Sequence, residues 1–205
     1  MRKNKLQAIF WDFDGVLMNS NKVRDLGFLE VLKEFPQDQV DALMLFHQQN
    51  GGLSRYVKFR YFFEEIRGES ITDEAILVWA ERFSILMKQF LTDRELLIKE
   101  TMDFVQSYHQ KIPMHVVSGS DQVELRYLCR SMGIDPYFKS IHGSPKPKTQ
   151  WVGELIKEYD YVPSSCILIG DSINDFEAAK DNGLYFMGYN NKKVESLSTK
   201  KIQLN

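Results

Sequence analysis

Five short apolar runs punctuate the chain, at Leu6–Trp11, Met114–Val117, Tyr137–His142, Cys166–Ile169 and Leu184–Tyr189, and helical patterns separate the last four. Runs of this length, bounded by Gly or polar residues, suit strands buried on both faces. Strands alternating with helices predict a parallel sheet covered on each side. The intervening helices carry recognisable ends. Ser120 or Asp121 can cap one that carries Val123, Tyr127, Leu128 and Met132, with Gly133 as its stop. Thr149 can open a second, with Val152, Leu155, Ile156 and Tyr159 on one face. Ser172 followed by Asp175 fits a capping box, and Gly183 fits the end of that helix.

The stretch from Ser20 to Leu97 breaks this alternation. Its candidates are all helical, near Lys22–Glu34, Asp38–Gln48, Ser54–Arg67 and Asp73–Leu91, divided by Pro36, Gly51-Gly52 and Gly68. The expected organisation is an α/β core over residues 1–17 and 98–205, built on a Rossmann-like parallel sheet. Residues 18–97 form an inserted all-helical domain. The final residues, rich in Lys, Ser and Asn, are expected to fray.

Composition narrows the function classes. With 43% hydrophobic residues among 205, the chain can bury a core and is too apolar for a disordered one. A net charge of −2 and a pI of about 6.1 give no general attraction to nucleic acid or anionic membrane. No apolar run approaches the roughly 18 residues of a membrane span. The basic opening, Met1 to Lys5, precedes too short an apolar run for a signal peptide. The two cysteines, Cys129 and Cys166, lie in apolar stretches and read as buried free thiols of a reducing compartment. A cytoplasmic protein with no nucleic-acid or membrane partner is expected.

Four segments carry chemistry, each just after a predicted strand, where open parallel sheets place their ligands. Asp12-Phe13-Asp14-Gly15 offers two acids, one able to attack and the other to move protons. Ser118-Gly119-Ser120, at the start of a helix, supplies donors for a phosphate oxygen, although the same residues suit an ordinary cap. Gly143-Ser144-Pro145-Lys146-Pro147-Lys148 supplies a fixed positive charge, unless the loop is merely solvated. Gly170-Asp171-Ser172-Ile173-Asn174-Asp175 offers the hard oxygen ligands that Mg²⁺ prefers, with helix capping as the alternative role of Asp175. Asp12, Asp14, Asp171 and Asp175 cannot all ionise at close range without a compensating cation. Mg²⁺ and a lysine answer that need.

This order of motifs resembles the haloacid dehalogenase-like hydrolase superfamily. The helical insert resembles the cap of its phosphoglycolate phosphatase and β-phosphoglucomutase branch. The resemblance implies that Asp12 is the nucleophile and Asp14 the general acid and then base. It implies that Ser118 and the Gly119 backbone bind phosphate, and that Asp12, the Asp14 carbonyl and Asp171 hold Mg²⁺, with Asp175 nearby. True dehalogenases lack an aspartate at the position of Asp14. Lys146 and Lys148 both fit the lysine motif, and Lys148, directly before a helix, is favoured.

The activity so implied is Mg²⁺-dependent hydrolysis of a small phosphorylated metabolite through an aspartyl-phosphate, a sugar phosphate being one candidate. A phosphomutase would use the same intermediate, and a non-catalytic phospho-ligand or protein-binding module is the reading outside enzymes. A monomer or weak homodimer is expected. In the cap, Arg55 and Lys58 share a helix face and can reach an anionic or hydroxylated substrate, or else stand as solvated charges. The aromatics Phe59, Tyr61, Phe62 and Phe63 read as core, and His47 is the histidine nearest the cap loop.

Overall fold

The computed structural model describes residues 6–204, so the basic opening lies outside the described residues. Strands β1 (Ala8–Trp11), β2 (Met114–Asp121), β3 (Ser140–Ser144), β4 (Cys166–Gly170) and β5 (Tyr185–Gly188) form one sheet in the order β3-β2-β1-β4-β5. Every pairing is parallel. The period of two explains why the runs are continuously apolar. Ile9 and Trp11 face one side of the sheet with Val116, Ile167 and Ile169, whereas Ala8 and Phe10 face the other with Val117 and Leu168.

Helices α1 (Asn21–Val31), α2 (Gln37–Gln49), α3 (Arg55–Tyr61) and α4 (Asp73–Phe90) form the insert. The end of α3 widens into a π-type turn over Phe62–Ile66. Ser54 and Thr72 cap α3 and α4 through their hydroxyls. Phe28, Phe59, Phe62 and Phe83 are fully buried and give the insert its own aromatic core. Tyr61 instead stacks on Phe46 while partly exposed. The chain leaves and returns at one place: Asn19 N–H donates to Leu96 O at 2.7 Å, and Ile98 N–H to Leu17 O at 2.9 Å.

Helix α5 (Lys99–Tyr108) precedes β2, a helix that the apolar runs above did not announce. Then α6 (Gln122–Ser131), α7 (Lys148–Glu158), α8 (Ile173–Asp181) and α9 (Lys192–Glu195) complete the core. The expected stripe on α6 is displaced. Val123 is 68% exposed and Tyr127 45% exposed, and the buried face carries Glu124, Leu125, Leu128 and Cys129. A glutamate in that stripe hides it from a search for apolar periodicity. Helix α7 opens at Lys148 after Pro147, not at Thr149. Nor does the end fray over the described residues: Thr199 and Lys200 donate to Phe186 O, and Leu204 is buried. Both cysteines are free and buried.

Candidate active site

The carboxyl end of β1 is the centre of the sheet, and Asp12 follows it, its N–H donating to Ile169 O on β4 at 2.9 Å. That bond keeps the residue in line with the strand, where Asp12 is buried, only 4% exposed. Lys148, the first residue of α7, brings its Nζ to 2.8 Å from Asp12 Oδ1 and also pairs with Asp175. Asp175 is fixed by the capping box of α8, its Oδ2 accepting from Ser172 N–H at 3.0 Å and Ser172 Oγ at 2.6 Å. Capping and site-building are therefore one arrangement. Asp171, at the end of β4, accepts from Asn21 Nδ2 at 3.0 Å. A Cβ at Gly15, where φ is +75°, would collide with the Asp171 carboxylate, so only glycine fits the exit from β1.

One carboxylate oxygen from each of Asp12, Asp171 and Asp175 lies within 4.8 Å of the others. Burial, and then the neighbouring Asp175, push the Asp12 carboxyl well above the usual carboxylate range despite Lys148. The same two causes push Asp171 up to about 7. Lys148 responds in the opposite sense: burial opposes its charge, but Asp12 and Asp175 outweigh burial and raise it. Three acids against one lysine leave an excess of negative charge. Hard oxygen donors with unbalanced charge fit Mg²⁺ better than a metal preferring sulfur or imidazole.

Asp14 stands apart. Its carboxylate accepts from Arg24 Nε at 2.5 Å, from Ser120 Oγ at 2.5 Å and from Ser20 Oγ. Arg24 and the two serines thus hold the Asp14 carboxylate, while the side chains of Asp12, Asp171 and Asp175 gather together. Burial would raise the Asp14 carboxyl, but Arg24 and these hydroxyls hold it below its ordinary value. Ser118 is 1% exposed, and its Oγ accepts from Ser120 N–H at 3.1 Å. Ser118 and Gly119 open on the same cavity of about 940 Å³ as Asp12, Asp14 and Asp171. At Gly119 a Cβ would meet the carbonyl of Gly52, so the loop between α2 and α3 closes directly over β2. Lys146 points away, pairing with Glu154 at 2.6 Å and lying 3.8 Å over the Trp151 ring.

Arg55 and Lys58 are buried, not solvated, and both line the cavity. Arg55 Nη1 contacts Glu124 Oε2 at 2.5 Å and Ser84 Oγ at 2.6 Å. Lys58 Nζ donates to Gly51 O at 3.1 Å. His47 Nε2 lies 2.9 Å from Asp25, and burial, then Lys58, lower its pKa to about 3, so the ring is neutral. No motif announces Arg24 or Glu124, and Ser120, expected as a cap or phosphate donor, instead donates to Asp14. Arg24 Nη1 bonds to Glu124 Oε1 at 2.9 Å, which completes a buried chain Asp14–Arg24–Glu124–Arg55.

The haloacid dehalogenase-like hydrolase model matches residues 6–183. The phosphoglycolate phosphatase of Mannheimia succiniciproducens is 26% identical over 194 residues, covering 90% of this chain and 86% of that protein. Among solved structures, β-phosphoglucomutase from Clostridium difficile aligns with a TM-score of 0.73 at 14% identity, over 94% of this chain and 88% of its own. CbbY from Rhodobacter sphaeroides, in complex with xylulose-(1,5)bisphosphate, aligns with a TM-score of 0.71 at 18% identity, over 92% and 89%. The family match spans strands β1 to β4, the insert and all four chemistry-bearing segments: the chain belongs to the haloacid dehalogenase-like hydrolases.

Proposed function

We propose that this enzyme hydrolyses phosphate monoesters of small metabolites through an aspartyl-phosphate on Asp12. The observation that carries the reading is the pairing of a buried Asp12 with Lys148 at 2.8 Å, beside Asp171 and Asp175. Asp12, the Asp14 carbonyl and Asp171 would hold Mg²⁺, with Asp175 near it. When bound, the ion offsets carboxylate charge and draws electron density from the phosphoryl oxygens. The names of the curated relatives support a phosphatase, and residues 18–97 act as its cap.

In this reading a carboxylate oxygen of Asp12 forms a bond to phosphorus as the ester P–O bond breaks. Asp14 supplies a proton to the leaving oxygen. It then takes one from the water that cleaves the acyl phosphate, which returns Asp12 and releases inorganic phosphate. Arg24, Ser20 and Ser120 favour the ionised Asp14, the form required in the second half. Protonating the leaving group requires that grip to loosen as substrate enters. Lys148 and the Ser118 hydroxyl, with the Gly119 N–H, bear on phosphoryl charge throughout. The substrate is a soluble metabolite, sugar phosphates included, met in the cytoplasm by a monomer or weak homodimer.

A phosphate-release assay over a metabolite panel, with Mg²⁺ and with EDTA, tests this. Metal-dependent release from at least one ester is expected, together with its abolition in Asp12→Asn that still unfolds cooperatively. A near-normal rate in that variant would overturn the assignment. Slow release that a sugar bisphosphate accelerates would make the protein a mutase instead.

A further inference from the structure

The first turn of α6 belongs to the core, yet it meets the insert at two acids. Asp121, which caps α6, accepts from Tyr56 Oη of α3 at 2.6 Å. Glu124, three residues on, accepts from Arg24 Nη1 at 2.9 Å and from Arg55 Nη1 at 2.5 Å. Glu124 is fully buried and does not line the cavity, so it touches no ligand there. Arg24 does line the cavity, and its Nε donates to Asp14 Oδ1 at 2.5 Å. One guanidinium therefore bridges two carboxylates, with Asp14 on the cavity side and Glu124 behind. Its planar fork cannot turn fully to one partner without leaving the other. In the hydrolysis proposed above, Asp14 must slip its bond to Arg24 to hand a proton to the leaving oxygen. Glu124 keeps the guanidinium paired and in place through that exchange. Without Glu124, Asp14 would be the sole carboxylate bonded to Arg24, and the arginine would follow it.

We propose that Glu124 is a positioning residue for the general acid: by anchoring Arg24 from behind, it frees the Asp14 carboxylate to reach the leaving oxygen. This rests on the phosphatase reading above and deepens it. The esters it bears on are alkyl phosphates, whose leaving oxygen needs a proton.

Two esters test this on the Mg²⁺-loaded full chain: the alkyl phosphate of the metabolite panel that is hydrolysed fastest, and p-nitrophenyl phosphate. In both, an Asp12 oxygen bonds to phosphorus as the ester P–O bond breaks. The alkoxide leaves with a proton from Asp14, whereas p-nitrophenolate leaves as the anion and needs none. Glu124→Gln should lower kcat/KM about 10- to 100-fold for the alkyl ester, part of what a general acid contributes, and less than about threefold for the aryl ester. Glu124→Asp, which keeps the charge, should restore most of the alkyl-to-aryl ratio. In an Arg24→Gln background Glu124→Gln should leave the ratio where it is, because the chain it acts through is already cut. Tyr56→Phe, which loosens the insert on α6 without touching Arg24, should leave the ratio of the unmodified chain. Because both esters are assayed in the same sample, a general loss of folded enzyme cancels from the ratio. Three results each overturn this inference alone: a ratio that Glu124→Gln leaves intact, a further fall in the Arg24→Gln background, or an equal fall in Tyr56→Phe. Release from no alkyl ester of the panel overturns the hydrolase reading and this one with it.

Discussion

Lys146 and Lys148 stand two residues apart and have opposite fates. Lys148 is buried between Asp12 and Asp175, where its charge is the main local answer to three acids. Lys146 is partly exposed, on Glu154 and Trp151, where a surface ion pair contributes little. Lys148→Met should therefore lower kcat by roughly 100- to 1,000-fold, as for loss of one donor to developing charge, while Lys146→Met changes it little. Phosphate release by the two variants checks this. Lys58 carries a separate prediction. Burial first, then Arg24 and Arg55, push its pKa from 10.5 down to about 7, against the pull of Asp14 and Asp25, and His47 beside it is neutral. Between those two values the unfolded chain binds the extra proton, so this residue's contribution to stability rises with pH across that window. Below it, Lys58 is charged in both states and the burial penalty is complete. Urea unfolding at pH 7 and pH 9 should show the gain in the unmodified chain and a smaller gain in Lys58→Met.

Among the elements, α6 has the most consequential buried face. Its Glu124 is 0% exposed and accepts from arginines on two helices of the insert, so it ties core to insert through charge. Glu124→Ala would leave both guanidinium groups buried without that partner, at a cost of about 3–5 kcal/mol of stability. A lower urea midpoint checks it, and an unchanged midpoint would mean that water reaches those arginines. The same helix shows where pattern reading stops. The strands were legible to within a few residues, because both faces of a parallel sheet are apolar. The stripe of α6 was misread because a charge sits in it and Val123 and Tyr127 lie in solvent. Capping was more reliable, since Ser172 and Asp175 interact across three residues with no help from distant chain.

For the molecule as a whole, binding of a divalent cation should report on folding. An ion held only by the native cluster of Asp12, Asp171 and Asp175 adds about 2.7 kcal/mol at a hundred times its Kd. For a chain of this size that raises Tm by roughly 5–10 °C. Mg²⁺ should produce such a shift in a thermal melt and EDTA should remove it. Asp171→Ala should abolish it, and an equal shift in that variant would place the ion elsewhere.

Local rules on the chain determined the parallel sheet, the helical insertion and the list of acids, because strand period, caps and motif order are short-range properties. The division of labour among those acids came from packing. Asp14 turns to Arg24 rather than to the other three, Lys148 reaches them where Lys146 does not, and Glu124 disappears beneath two arginines. Each of these outcomes depends on which charge meets which across tens of residues of intervening chain. Electrostatic pairing at that separation is set by how helices and strands stack, and no spacing in the sequence encodes it.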